Sequence, residues 1–238
     1  MRFPFSLKPT VLVLLILSAF AAGQSPHTSQ SQKLETIPDT YADNEQAYLD
    51  LLAEALRKSP QLLGYLVAYS KPGMPPGLFL RRIYGYQNYL VNMRGIEPNR
   101  IILVEGGTKG ALSTELWLVP KGANPPAADS EFNLVPKLPI KFDVMYPDCP
   151  SEMTVYLEET DDSLRFYGRA LVANPNTVAK IVAFPRLRTS LAATRRVAMR
   201  ARAALMKNYH IDSRRIVTSA GRHRRDCSQI ELWITETR

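Results

Sequence analysis

The side chains that most often carry chemistry are scarce in this chain. It holds three His and two Cys in 238 residues. His27 lies in a Ser/Gln-rich stretch, His210 at the end of a predicted helix, and His223 inside the run Arg222-His223-Arg224-Arg225. None has a partner at metal-ligand spacing, and the positive charge around His223 repels a cation, so neither a metal nor a cofactor is expected. Glycine is sparse too. Glu105-Gly106-Gly107-Thr108-Lys109-Gly110 lacks the spacing of a phosphate loop and leads into a strand rather than a helix. Glu158, Glu159, Asp161 and Asp162 precede a helix whose dipole they complement, which accounts for them without a paired-carboxylate site. No catalytic residue is expected, and the chain reads as a non-enzyme. Long apolar runs are missing after residue 22, so no later membrane span is expected.

The N-terminus carries Arg2 and Lys8, an apolar run over residues 11–20, and the small-x-small triplet Ala19-Phe20-Ala21. That order is a secretory signal peptide, assigned to residues 1–22, and it implies a periplasmic or extracellular protein. In an oxidising compartment the two cysteines, Cys149 and Cys227, are expected to form a disulfide. Residues 23–38, rich in Ser, Gln and Thr, read as a disordered spacer.

The rest of the chain is written twice. Leu66-Val67-Ala68-Tyr69 matches Ile181-Val182-Ala183-Phe184, Arg81 matches Arg196, Arg100-Ile101 matches Arg215-Ile216, and Gly106 matches Gly221. All these pairs share one register, and one inserted residue later Glu115-Leu116-Trp117 meets Glu231-Leu232-Trp233. A fixed register over so long a stretch signals a duplicated structural unit. Hydrophobic periodicity reads each copy as α-β-α-β-β. The first occupies residues 39–120 and the second, with an extra leading strand, residues 140–238. Residues 121–139 form a Pro-rich linker or strap. The first copy shows no obvious leading strand, and residues 140–146 are a candidate to supply one. Residues 153–159 read as a further strand.

The copies differ in charge. From Lys180 onward fourteen Lys and Arg stand against four Asp and Glu, a net of +10, while the whole chain carries +8. The excess therefore belongs to the second copy and favours an anionic partner. On the helix expected over residues 190–208, Leu191, Thr194, Ala198, Ala201 and Leu205 share one arc. Arg195, Arg196, Arg200 and Arg202 fall largely outside it, toward solvent. Tyr84, Tyr86 and Tyr89 on the corresponding first-copy helix are read chiefly as packing residues.

The unit resembles the OmpA-like C-terminal, peptidoglycan-associated domain. The features that carry this are the helix ending in Asn-Pro, the short apolar strand, the helix with Arg near its start, the Arg-Ile pair, the glycine turn and the final strand. Asn92-Met93-Arg94-Gly95-Ile96-Glu97-Pro98-Asn99-Arg100-Ile101 also looks like an uncharacterised exported bacterial family of that type. The resemblance implies an α/β fold, an α+β sandwich of two tandem βαβαββ-type domains, and binding of the peptide stem of peptidoglycan through an Asp and an Arg. Ser70-Lys71-Pro72-Gly73 and Pro185-Arg186-Leu187-Arg188 stand where that Asp is expected, so neither copy has it. The Leu-to-Arg spacing is met by Leu78 and Arg82, and by Leu191 and Arg195. Arg81, Arg82, Arg195, Arg196 and Arg200 are the candidate ligand-binding residues. The function expected is non-catalytic binding or scaffolding in the cell envelope. Peptidoglycan, another anionic envelope polymer or envelope proteins are the expected partners, and nucleic acid is disfavoured. The alternative is a protein–protein interaction module with no polymer ligand.

Overall fold

The structure, a computed structural model, describes residues 30–40, 42–129, 132–135, 137–147, 159–187 and 190–237. The expected signal peptide, the strand expected at residues 153–158, and Cys149 lie outside them. Glu159 opens a helix instead of ending a strand.

Two four-stranded sheets are present, and they are wired identically. The first is built from β1 (Gln32–Ile37), β2 (Leu62–Ser70), β3 (Ile101–Thr108) and β4 (Ser113–Pro120), in the order β1-β4-β2-β3. The second uses β5 (Ile140–Met145), β6 (Thr177–Phe184), β7 (Ile216–Ala220) and β8 (Gln229–Glu236), in the order β5-β8-β6-β7. In each, the outer pair is antiparallel and the β2/β3 or β6/β7 pair is parallel, so a helix must cross between the parallel strands. The helices are α1 (Ala42–Lys58), α2 (Pro76–Asn88), α3 (Glu159–Ala173) and α4 (Leu191–Tyr209). The first copy therefore does have a leading strand, β1, inside the segment expected to be a disordered spacer. Most of its residues are polar, which is why it reads as disorder; its pairing with β4 decides its structure. Residues 140–145 lead the second sheet and are not lent to the first.

The duplication reaches single interactions. Both leading strands carry a bulge at the same place, between Lys33 and Glu35 and between Lys141 and Asp143. Arg100 donates to the carbonyls of Leu56, Ser59 and Leu62, and Arg215 donates to those of Leu171, Asn174 and Thr177. Each arginine thus ties the end of the first helix to the start of the next strand. Trp117 Nε1 donates to Glu115 at 3.1 Å, and Trp233 Nε1 donates to Glu231 at 2.8 Å. Gly95 ends the first copy's second helix at a φ of +67°, and His210 adopts the same left-handed position at +54°. The copies part at that helix: Tyr89–Met93 closes with a π turn, while α4 stays α-helical to its end.

The two units are joined by more than a linker. Ile37, Leu49, Leu52, Leu56, Leu66 and Leu116 sit in a core belonging to the first copy. The larger core runs from Phe79, Leu80 and Ile83 of α2 into Phe142, Phe166, Tyr167 and Leu232 of the second copy. The Pro-rich stretch expected as a linker contributes Phe132, Leu134, Val135 and Leu138 to this core, with Phe132 and Phe79 at 4.9 Å between ring centres. It is a strap over the joint.

Candidate functional site

Arg81 and Arg82, expected from the sequence to bind a ligand, are engaged inside the molecule. Arg81 donates through Nε to Asp143 Oδ2 at 3.0 Å, and through Nη2 to Asp143 Oδ1 at 2.9 Å and the Val144 carbonyl at 3.2 Å. The two side chains are 3% and 0% exposed. This bidentate pair ties α2 of the first copy to β5 of the second. Arg82 donates to Tyr86 Oη at 2.9 Å, to the Thr40 carbonyl at 3.2 Å and to Glu45, with Asp39 at 3.5 Å. Burial pushes the Tyr86 hydroxyl well above the ordinary tyrosine range, so it stays protonated beside the guanidinium. Arg81 is thus sealed within the fold, while Arg82, 18% exposed, is engaged with these partners at the surface of the first copy.

The second copy differs. Ser190 caps α4 by accepting from the Ala193 N–H at 3.2 Å. Thr194, Ala198, Ala201 and Leu205 are buried against the sheet. That leaves Arg195, Arg196 and Arg200 exposed, and among the described residues none of the three has an ion pair. Arg202 folds back and donates to the Ser213 carbonyl at 3.3 Å.

Beside this helix lies β7, an edge strand exposed along its length except at Ile216. Arg195, Ala198 and Met199 face Thr218, Ser219 and Ala220 across an open hollow of about 230 Å³. The basic run continues past the strand. Arg222 and Arg225 are exposed, and Arg224 covers the Phe184 ring at 4.6 Å with Glu231 3.8 Å away. Arg214 is paired with Asp212 at 2.8 Å. Cys227, half-buried after this run, is not a free thiol.

Sequence reading placed the arginines on this face but missed its floor. The signal was present: the bulky Leu103-Val104-Glu105 on β3 becomes the small Thr218-Ser219-Ala220 on β7, which gains two hydroxyls and loses an acid. The face offers cationic donors over a shallow apolar and hydroxyl-bearing floor. That suits carboxylates or phosphates, and no His, Asp, Glu or Lys lines the hollow beside the Thr218 and Ser219 hydroxyls. Among the described residues no group of three His, Cys, Asp or Glu could hold a metal ion, and no helix is long and apolar enough to cross a membrane. No family model matches the sequence, and no curated protein matches it.

Proposed function

We propose that this is an exported, non-catalytic binding or scaffolding protein of the cell envelope, whose working surface is the basic flank formed by α4 and β7. The observation that carries this is the exposed row Arg195, Arg196 and Arg200, without an ion pair among the described residues, in which Arg195 lines the hollow floored by Thr218, Ser219 and Ala220. Charge left unpaired on one side of a molecule favours association with anionic groups. In an exported protein, the acidic polymers of the wall and acidic envelope proteins supply those groups.

Each copy has its parallel pair joined by a helix crossover, the leading strand antiparallel at one edge, and two helices. That arrangement is in keeping with the OmpA-like resemblance. The peptide stem of peptidoglycan presents an ammonium beside a carboxylate, and no Asp stands at the expected position to receive it. The ligand favoured here is therefore carboxylate-rich and need not carry a cation. The Cys149–Cys227 bridge belongs to the same proposal and would anchor the loop after Arg225.

Retention of the protein on purified sacculi and on an acidic wall polymer, compared with a neutral polysaccharide, tests it. Retention should fall as salt rises and should be lost in an Arg195→Glu/Arg196→Glu/Arg200→Glu variant. Equal retention of that variant and the wild type would exclude this flank as the binding surface.

A further inference from the structure

The two repeats meet through complementary surfaces. The first repeat offers α2 and the β3 edge; the second offers α3 and β5. Arg81 reaches Asp143 and the Val144 carbonyl, Tyr84 lies against Phe166 at 5.0 Å, and Glu105 faces Arg169. Because the unit is duplicated, each half of this joint exists a second time. The α2/β3 half recurs as α4/β7, and the α3/β5 half recurs as α1/β1. Among the described residues both recurrences lie open.

The correspondence holds residue by residue. Arg81 recurs as Arg196, and Asp143 recurs at the same bulge as Glu35; both are exposed. Val144 recurs as Thr36. Tyr84 recurs as Met199, which is 49% exposed, and Phe166 as Leu51, which is 43% exposed. They belong to a short set of large apolar side chains left in solvent. Charge agrees as well. Arg165 and Arg169 of α3 recur on α1 as Asp50 and Glu54, while the α4/β7 flank carries Arg195, Arg196 and Arg200. Asp50 and Glu54 are paired at the surface with Arg94 and Lys58, and exposed pairs of that kind exchange at little cost.

We propose that the α4/β7 flank of one molecule receives the α1/β1 face of a second copy, so that the chain assembles head to tail. This rests on the α4/β7 flank being a binding surface, as proposed above, and names its occupant. Arg196 takes Glu35 and the Thr36 carbonyl, and Met199 covers Leu51. The contact is wider than the internal joint. A Cβ at Gly77 would come within 2.7 Å of Asp143, and the residue corresponding to Gly77 is Ala192. Gly85 is replaced by Arg200. Ala192 and Arg200 hold the partner farther off, and Glu35, one methylene longer than Asp143, spans the added distance. The joint is consequently more polar than its internal counterpart and weakens with salt. Its two faces differ, so the association is heterologous and continues into a filament or closes as a ring.

Sedimentation velocity on the protein, expressed with its own leader and purified, decides this. At low salt the weight-average sedimentation coefficient should rise with concentration, and it should fall back toward the monomer at high salt. Glu35→Arg and Arg196→Glu should each weaken assembly by about tenfold or more, because like charges then meet across the joint. An equimolar mixture of the two variants should restore it, since each supplies the charge the other lacks, and no misfolded protein would do so. A wild type that stays monomeric at low salt overturns the proposal, as does assembly that survives both substitutions. Glu35→Arg and Leu51→Asp leave the basic flank intact. If they stop assembly yet keep retention on an acidic polymer, both proposals hold. A monomeric wild type that is still retained sinks only head-to-tail assembly, and assembly without retention sinks only polymer binding.

Discussion

The Arg81–Asp143 pair makes a quantitative prediction about what holds the two repeats together. Both carboxylate oxygens face donors: Oδ2 accepts from Arg81 Nε at 3.0 Å, and Oδ1 accepts from Arg81 Nη2 at 2.9 Å and from the Val144 N–H at 2.7 Å. In Asp143→Asn the amide nitrogen must replace one of these oxygens, so a donor meets a donor, and the Arg81 charge stays buried without its counterion. Breaking a buried pair from one side costs roughly 3–5 kcal/mol, against about 0–1 kcal/mol for a pair at the surface. For a chain of this size the larger loss lowers the melting temperature by roughly 10 °C. Removing the charge as well, in Arg81→Met/Asp143→Asn, should return part of the loss, and the double-mutant cycle reads the coupling directly. Urea and thermal unfolding of the wild type, both single variants and the double variant give all four corners. Because the pair joins α2 to β5, Asp143→Asn should also quicken proteolysis within the strap at residues 121–139. A loss below about 1 kcal/mol would refute the pair as the tie between the repeats.

Other outcomes follow from single positions. A Cβ at Gly221 would stand 2.1 Å from the Phe184 ring, so Gly221→Ala should cost about 1–3 kcal/mol in urea unfolding. Arg215→Ala releases three carbonyls held at 2.8–3.0 Å and should cost about 3 kcal/mol, with Arg100→Ala behaving alike in the first copy. His210→Gly should stabilise by about 1 kcal/mol, since the left-handed conformation at φ +54° strains any residue with a Cβ. Burial raises the Glu105 carboxyl above its ordinary 4.5, with Arg169 opposing. A raised acid contributes stability that is full below its ordinary value and is lost as the pH climbs through the raised one. Glu105→Gln should therefore lose less melting temperature than the wild type between acid and neutral pH, and an equal loss would contradict the assignment.

Much of the fold was legible because a duplicated unit repeats its scaffold in one register. The Arg-Ile pairs, the helix stops at Gly95 and His210, and the Glu-Leu-Trp strands all carry local physical signatures. Periodicity placed α4 and turned its arginines outward. β1 escaped because an edge strand made of Lys33, Glu35 and Thr36 has no apolar alternation, and only β4 gives it a reason to be extended. The Pro-rich stretch was legible as a linker or strap, but not what it covers, because Phe132, Leu134 and Val135 become apolar anchors only when a second core lies beneath them.

The chain's sequence by itself determined that there are two copies of one unit, that the charge sits in the second, and that the means for metal or nucleophilic chemistry are sparse. Those properties are local or additive, and a linear reading captures them. Only the tertiary structure decided which arginines are available. Arg81 and Arg196 occupy the same position in the repeat; one is sealed against Asp143 and the other stands in solvent. The difference lies in what packs beside each. The second repeat covers the flank of the first, whereas among the described residues no element packs over Arg196 and Met199 on the flank of the second.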